Sequence, residues 1–73
     1  MRETRDRIER DHDTALRFYL RAIEMTQDDV SRSEYLTIAR RIVDFHGRTH
    51  RFQLYDTELR RLEEKYKDLL GIR

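Results

Sequence analysis

The sequence predicts an all-α protein: a helical hairpin, with a short first helix and a long second helix, that assembles into an oligomeric helical bundle. Apolar and aromatic side chains recur every three or four residues over the second half of the chain, which places one of them on the same helical face in each turn. No proline interrupts this region. Alternation of apolar and polar residues never runs long enough for a strand. The main stripe consists of Tyr35, Ile38, Ile42, Phe45, Thr49, Phe52, Tyr55, Leu59, Leu62, Tyr66 and Leu69.

The 73 residues allow one helical domain, 1–73, in which residues 1–7 are the segment expected to fray. Hydrophobic residues make up 37% of the chain and charged residues 42%, so there is little material for a closed core. Domains of this size gain stability from disulfides, metals or association, and this chain has no cysteine. The composition therefore predicts a homo-oligomer, with a dimer as the favoured form.

The first helix is predicted over about residues 3–25. It begins with a charged stretch and ends in a dense group of apolar residues, so its first turns can lie in water while its last turns are buried. Residues 26–33 interrupt the pattern with polar side chains that compete for backbone hydrogen bonds. Ser31 and Glu34 have the spacing of a capping box, which predicts that the second helix begins near residue 32.

The second helix is predicted to run from about residue 32 to residue 70, with Gly71 as its left-handed cap residue. Because a glycine costs only about 1 kcal/mol in a helix interior, we prefer one helix that continues, with a kink, through Gly47. The alternative is a three-helix arrangement with a turn over residues 46–49.

Up to Phe52 the second helix carries a second apolar stripe beside the main one, and together they cover about half of its circumference. An arc of this width needs two neighbours, which is the basis for predicting an oligomer. Phe45 is predicted to lie buried at the centre of the arc. The second stripe consists of Leu36, Ala39, Val43, His46, His50 and Leu54, and the predicted interface consists of Leu36, Ile42, Val43, Phe45, Phe52, Leu59 and Leu62.

His46 and His50 are four residues apart, a spacing that on a continuous helix directs two imidazoles to one side and can chelate a metal ion. His12 is a third histidine, and Glu9 with His12 repeats the Glu-x-x-His spacing of ferritin-like di-iron bundles. No second Glu-x-x-His follows, and Gly47 weakens a helical chelate. We therefore expect no metal and no cofactor, with His46, His50 and His12 as the residues that a metal would use.

Four arginines give residues 40–51 the most basic character in the chain, with Asp44 as the one acid among them. Phosphate contacts from this helix face would make the protein a small nucleic-acid-binding regulator, and a two-fold dimer would double the patch. The net charge of +1 speaks against this alternative. The four residues are Arg40, Arg41, Arg48 and Arg51.

The sequence contains no pairing of a nucleophile with a base, no glycine-rich phosphate loop and no apolar run long enough to cross a membrane. Phe18 and Met25 fall off the projected stripes, and so does Tyr55 when the stripe of residues 35–52 is extended straight along the helix. Clustered exposed aromatic residues are typical of contact surfaces. We therefore predict a non-enzymatic adaptor, inhibitor or assembly subunit that acts through a helical protein–protein surface. The absence of cysteine fits a cytoplasmic protein.

Overall fold

The computed structural model describes residues 2–47 and 49–71, with their side chains from residue 4 onward, and confirms the all-α prediction for this part of the chain. Here α1 spans Arg2–Met25, α2 spans Asp29–His46 and α3 spans His50–Lys65. A 3₁₀ turn, Lys67–Leu70, follows α3. None of the helices in the described ranges is both long enough and apolar enough to cross a membrane.

Asp28, rather than Ser31, caps the start of α2. Its carboxylate accepts hydrogen bonds from the backbone N–H groups of Val30 and Ser31, both at 3.3 Å, and from the Ser31 hydroxyl at 2.6 Å. The hydroxyl bond is the main reason why the pKa of Asp28 lies below its usual value. A negative side chain also suits the positive end of a helix dipole. The helix therefore begins at Asp29, earlier than the capping-box spacing predicts.

Arg32 ties the α1–α2 connection back to the end of α1. Its Nε donates to the carbonyl oxygen of Ile23 at 2.8 Å, and its Nη2 donates to the carbonyl oxygen of Thr26. Carbonyl groups at a helix C-terminus lack partners within the helix, so a guanidinium is favourable there. The Arg32 guanidinium also lies 4.5 Å from the centroid of the Tyr66 ring, which joins the connection to the end of α3.

The predicted second helix is in fact two helices, so the prediction of one helix from residue 32 to residue 70 is wrong. Gly47 ends α2 with φ +56° and ψ −114°, a conformation that residues with a Cβ rarely adopt. Because α3 begins at His50, the three-helix alternative with a turn over residues 46–49 is the observed one. Gly71 has φ +71°, which confirms the predicted left-handed cap at the end of the chain's helical part.

The chain breaks at Gly47 because folding α3 back buries more apolar surface than a continuous helix would. A helix from residue 32 to residue 70 would be about 58 Å long, against about 36 Å for α1, so its last turns would have no neighbour within the chain. Folded back, α3 buries Phe52, Leu59 and Leu62 completely. Each such side chain contributes about 1.5–3 kcal/mol on burial, which exceeds the cost of the turn.

The three helices run alternately up, down and up. Tyr55, near the start of α3, is bonded to Asp13, and Arg61 further along α3 is bonded to Glu24, so α1 and α3 run in the same direction. The two connections between consecutive helices are short, and short connections join antiparallel neighbours. The middle helix α2 therefore runs against the other two.

Each helix contributes three side chains to a single core. These residues repeat at helical spacing, so one stripe of each helix points to the common axis of the three. Half-buried tyrosines, among them Tyr19, Tyr35 and Tyr66, pack around this core. The core consists of Leu16, Leu20 and Ile23 from α1, Leu36, Ala39 and Val43 from α2, and Phe52, Leu59 and Leu62 from α3.

The prediction that Phe45 lies buried at the centre of an apolar arc is wrong. Its side chain is 71% exposed, whereas Leu36, Ala39 and Val43 are at most 4% exposed. At about 100° per residue, Phe45 lies about 150° around α2 from the mean direction of those three residues. The second stripe of α2 thus forms the core, and the main stripe lies on the outside of the helix pair.

We expect Gly47→Ala to destabilise the chain by about 1–3 kcal/mol, because alanine must take up a strained positive φ. An added Cβ would meet no atom within 4 Å, so the cost is conformational and not steric. Urea denaturation measures it. Gly71→Ala, with a positive φ at the end of the helical part, serves as the control and should cost less. An unchanged or higher midpoint for Gly47→Ala would mean that a helix can continue through this position.

Phe52→Ala should cost about 3–5 kcal/mol, because the ring is fully buried and its removal leaves a cavity among all three helices. Phe45→Ala should cost less than about 1 kcal/mol, because that ring is mostly in water. Thermal and urea unfolding at low protein concentration compare the two. The reverse order of the two losses would contradict the orientation of α2.

Candidate functional site

Most of the residues predicted to form an interface lie in the chain's own core. Ile42 is half-buried and packs against that core, and Phe45 is exposed. A surface for a partner must therefore be built from other residues. The predicted interface residues that the core takes up are Leu36, Val43, Phe52, Leu59 and Leu62.

A different apolar surface lies on the side of α1 and α2 that faces away from α3, and we call it the outer face. Phe18 and Met25 on α1 and Phe45 on α2 are its most exposed members, with 63%, 72% and 71% of their area in water. Ile38 on α2 is 36% exposed. The outer face consists of Phe18, Ala22, Met25, Tyr35, Ile38, Ile42 and Phe45.

A groove of about 290 Å³ runs between α1 and α2 at the end of the outer face near their connection. Its wall on α2 is Tyr35, whose ring lies 5.6 Å from the ring of Tyr19 on α1. The Phe18 ring stands edge-on to Tyr19 at the same centroid distance of 5.6 Å. Aromatic side chains therefore give this part of the outer face a rigid, shaped surface. The groove is lined by Phe18, Arg21, Ala22, Met25, Thr26 and Tyr35.

On the opposite side of α1, charged and polar groups pair with α3. Tyr55 donates its hydroxyl hydrogen to Asp13 and accepts a hydrogen bond from Arg17 at 3.1 Å. Glu24 pairs with Arg61 at 3.3 Å. Burial raises the pKa of the Tyr55 hydroxyl, which therefore stays a donor at neutral pH. Of the residues off the predicted stripes, Phe18 and Met25 are exposed, whereas Tyr55 is half-buried in this contact.

Arg40 joins α2 to α3 through three carboxylates. Its guanidinium donates to Glu63 at 2.9 and 2.6 Å, to Asp56 at 2.6 Å and to Asp44 at 3.2 Å. The hydrogen bond to Glu63 is the largest of the causes that raise the pKa of Arg40. The hydrogen bond that Asp56 accepts from Arg40 is the main reason why the pKa of Asp56 is lowered. The spacing of Arg40 and Asp44 is visible in the sequence, but the contacts to α3 arise only from the fold.

The arginine patch predicted as a nucleic-acid contact is not a uniform basic surface. Arg40 is occupied by its three carboxylates, so its charge is neutralised. Arg41 and Arg51 are exposed. Arg48 lies outside the described residues. Two free cations remain in the described part of the patch, which is a small contribution to phosphate binding.

The structure brings together two of the three histidines. His12 Nδ1 and His46 Nε2 are 2.7 Å apart, a hydrogen bond between residues far apart in the sequence that no sequence pattern indicates. The His46 ring stacks on Phe52 with centroids 3.8 Å apart and planes inclined by 4°. Phe45 stands edge-on to both imidazoles, at 5.8 and 5.1 Å. Burial is the main cause of a lowered pKa at His46.

The predicted pairing of His46 with His50 on one helix is wrong, because α2 ends at His46 and α3 begins at His50. Nor does the contact between His12 and His46 have the dimensions of a metal site. Two imidazole nitrogens bound to one tetrahedral zinc ion lie about 3.4 Å apart, whereas a shared proton brings them to the observed 2.7 Å. Among the described residues, no three histidine, aspartate or glutamate side chains are placed to hold a metal ion.

Comparison of the chain with protein-family models, with curated proteins and with solved structures gives no match.

Arg40→Met should lower the free energy of unfolding by about 1–3 kcal/mol, because it leaves Glu63 without its cation and Asp56 with the exposed Arg60 alone, while both carboxylates are largely shielded from water. Arg41→Met is the matched control, one residue away and exposed, and should change stability by less than about 0.5 kcal/mol. Urea denaturation at neutral pH measures both. Equal effects of the two substitutions would contradict a structural role for the Arg40 cluster.

Proposed function

We propose that this chain is a small non-enzymatic interaction protein that forms a homodimer through its outer face and acts as an adaptor, inhibitor or assembly subunit. The observation that carries the proposal is the exposure of Phe18, Met25 and Phe45 on one side of the molecule. An apolar surface that extends over two helices is typical of a protein–protein contact, whereas single exposed apolar residues are common on any protein.

Charges at the edges of the outer face favour a second copy as the partner. Arg21 borders the groove on α1, and Asp11 projects to the same side of that helix. Glu34 and Arg41 project to the outer edge of α2. All four are exposed, and no ion pair in the described part of the chain includes any of them. Their charges cancel, so a two-fold arrangement can bring positive and negative edges together, which a partner of one charge sign would not match.

The dimensions of the molecule agree with this proposal. Its Cα atoms extend over 40 × 20 × 15 Å, so one broad side has an area of about 800 Å². A protein–protein interface of standard size hides about 800 Å² on each partner. A core of nine buried side chains in the described part of the chain also leaves the single chain with modest stability, which a dimer would increase by mass action.

The proposal is tested by the oligomeric state and by substitutions on the outer face. Sedimentation equilibrium should detect a dimer at concentrations on the order of tens of micromolar. Phe18→Gln and Phe45→Gln should each raise its dissociation constant about 5- to 30-fold, which corresponds to about 1–2 kcal/mol. Both residues are exposed in the single chain, so its own fold should persist.

Leu54→Gln is the matched control, because Leu54 is 68% exposed but lies on α3, away from the outer face. It should leave the dissociation constant unchanged. A chain that stays monomeric at about 100 µM would contradict the proposal, and so would a dimer that Leu54→Gln weakens more than Phe45→Gln does. Binding to nucleic acid that falls steeply with added salt and requires Arg41 and Arg51 would instead favour the nucleic-acid alternative.

A further inference from the structure

The contact between His12 and His46 lies where the turn between α2 and α3 meets the middle of α1. The backbone of the turn folds over His46, whose carbonyl oxygen accepts hydrogen bonds from the Thr49 N–H at 3.2 Å and the Thr49 hydroxyl at 3.0 Å. The His46 imidazole contacts His12 at its Nε2 edge and the stacked Phe52 ring at its face. The position of the first turn of α3 therefore depends on His46, and that of His46 depends on its bond to His12.

A hydrogen bond between two imidazoles needs one N–H and one unprotonated nitrogen. The pair can take up a first proton without losing the bond, because the proton can bind the free nitrogen of the donor ring and make the bond charge-assisted. A second proton has to occupy the accepting nitrogen. Two N–H groups then face each other across 2.7 Å, on two positive rings.

The groups around the pair do not neutralise a second positive charge. Glu9, one turn before His12 on α1, raises the pKa of His46, but burial and the charge of His12 lower it more strongly. Arg5 on α1 lines the same cavity of about 320 Å³ next to His46 and adds a positive charge there. From α2 and α3 the neighbouring side chains are the uncharged rings of Phe45 and Phe52.

We propose that the His12–His46 pair is a pH-sensitive switch. Its hydrogen bond holds the α2–α3 turn against α1 at neutral pH and breaks when the pair takes up its second proton. This inference goes beyond the proposed dimer and does not depend on it, because the contact is made within one chain.

The lowered pKa of His46 sets the direction of the pH dependence. The unfolded chain binds the proton near the ordinary histidine value of about 6.5, and the folded chain binds it only at lower pH. The stabilisation is therefore fully present above about pH 6.5 and is lost as the pH falls through the lowered pKa. Over this range the folding equilibrium constant falls by up to about tenfold per pH unit for one proton.

The experiment is urea denaturation from about pH 8 to about pH 5, a range above the titration of most carboxylates. All variants are measured at one low protein concentration. The key variant is His12→Gln. The glutamine amide can donate a hydrogen bond to neutral His46 and can accept one from protonated His46. This variant should keep the fold and reduce the pH dependence, while the part that the burial of His46 causes should remain. Glu9→Gln should make the loss of stability larger and extend it to lower pH, since without this negative charge the pKa of His46 in the folded chain lies lower still.

His50→Gln is the matched control, because His50 is exposed and does not belong to the pair. It should retain the pH dependence of the parent chain. A second measurement is amide hydrogen exchange, which on acidification should accelerate in residues 43–47 and 49–53 before it does in residues 16–23 of the core of α1. Equal pH slopes for the parent chain and His12→Gln would overturn the proposal. So would an NMR titration in which His46 has a pKa at or above the ordinary value.

Discussion

The positive φ of Gly47 is the constraint on which the rest of the structure depends. By ending α2 at that point, it turns α3 back along the hairpin formed by α1 and α2 and places Phe52, Leu59 and Leu62 against both helices. A helix that continued through this residue would have kept the same apolar stripe. The second half of that helix, however, would have extended beyond the end of α1. The gain from burying three large side chains decides between the two arrangements.

The return of α3 also divides the surface of the other two helices into two unlike sides. On the side that α3 covers, charges are paired, as Arg40 is with Asp56 and Glu63. On the outer face, large apolar side chains are exposed and the charges at the edges have no ion-pair partner within the described residues. A three-helix unit that packs against another chain would have two such sides, one covered by its own third helix and one with exposed apolar side chains.

The same turn creates the histidine contact. Because α2 ends at His46 and α3 begins at His50, the half-buried His46 imidazole contacts both Phe52 of α3 and His12 of α1. The two imidazoles form a favourable contact only while a nitrogen of one ring donates its hydrogen to an unprotonated nitrogen of the other. A titratable contact is thus placed at the one turn that holds the third helix in position.

Local sequence patterns were enough to predict the helical class, the first helix, the left-handed cap at Gly71 and the exposure of Phe18 and Met25, because periodicity and capping are local properties of the chain. It did not determine the break at Gly47, since the local cost of a glycine is small and the compensating burial comes from contacts with α1.

For the same reason the sequence did not decide which of the two stripes of α2 is inside. Both are apolar, and only the positions of α1 and α3 select Leu36, Ala39 and Val43 for the core and leave Phe45 in water. The contact of His12 with His46 and that of Arg40 with Glu63 likewise join residues far apart in the sequence. These contacts follow from the packing of the three helices, because helical periodicity fixes which residues share a face but not which neighbour covers it.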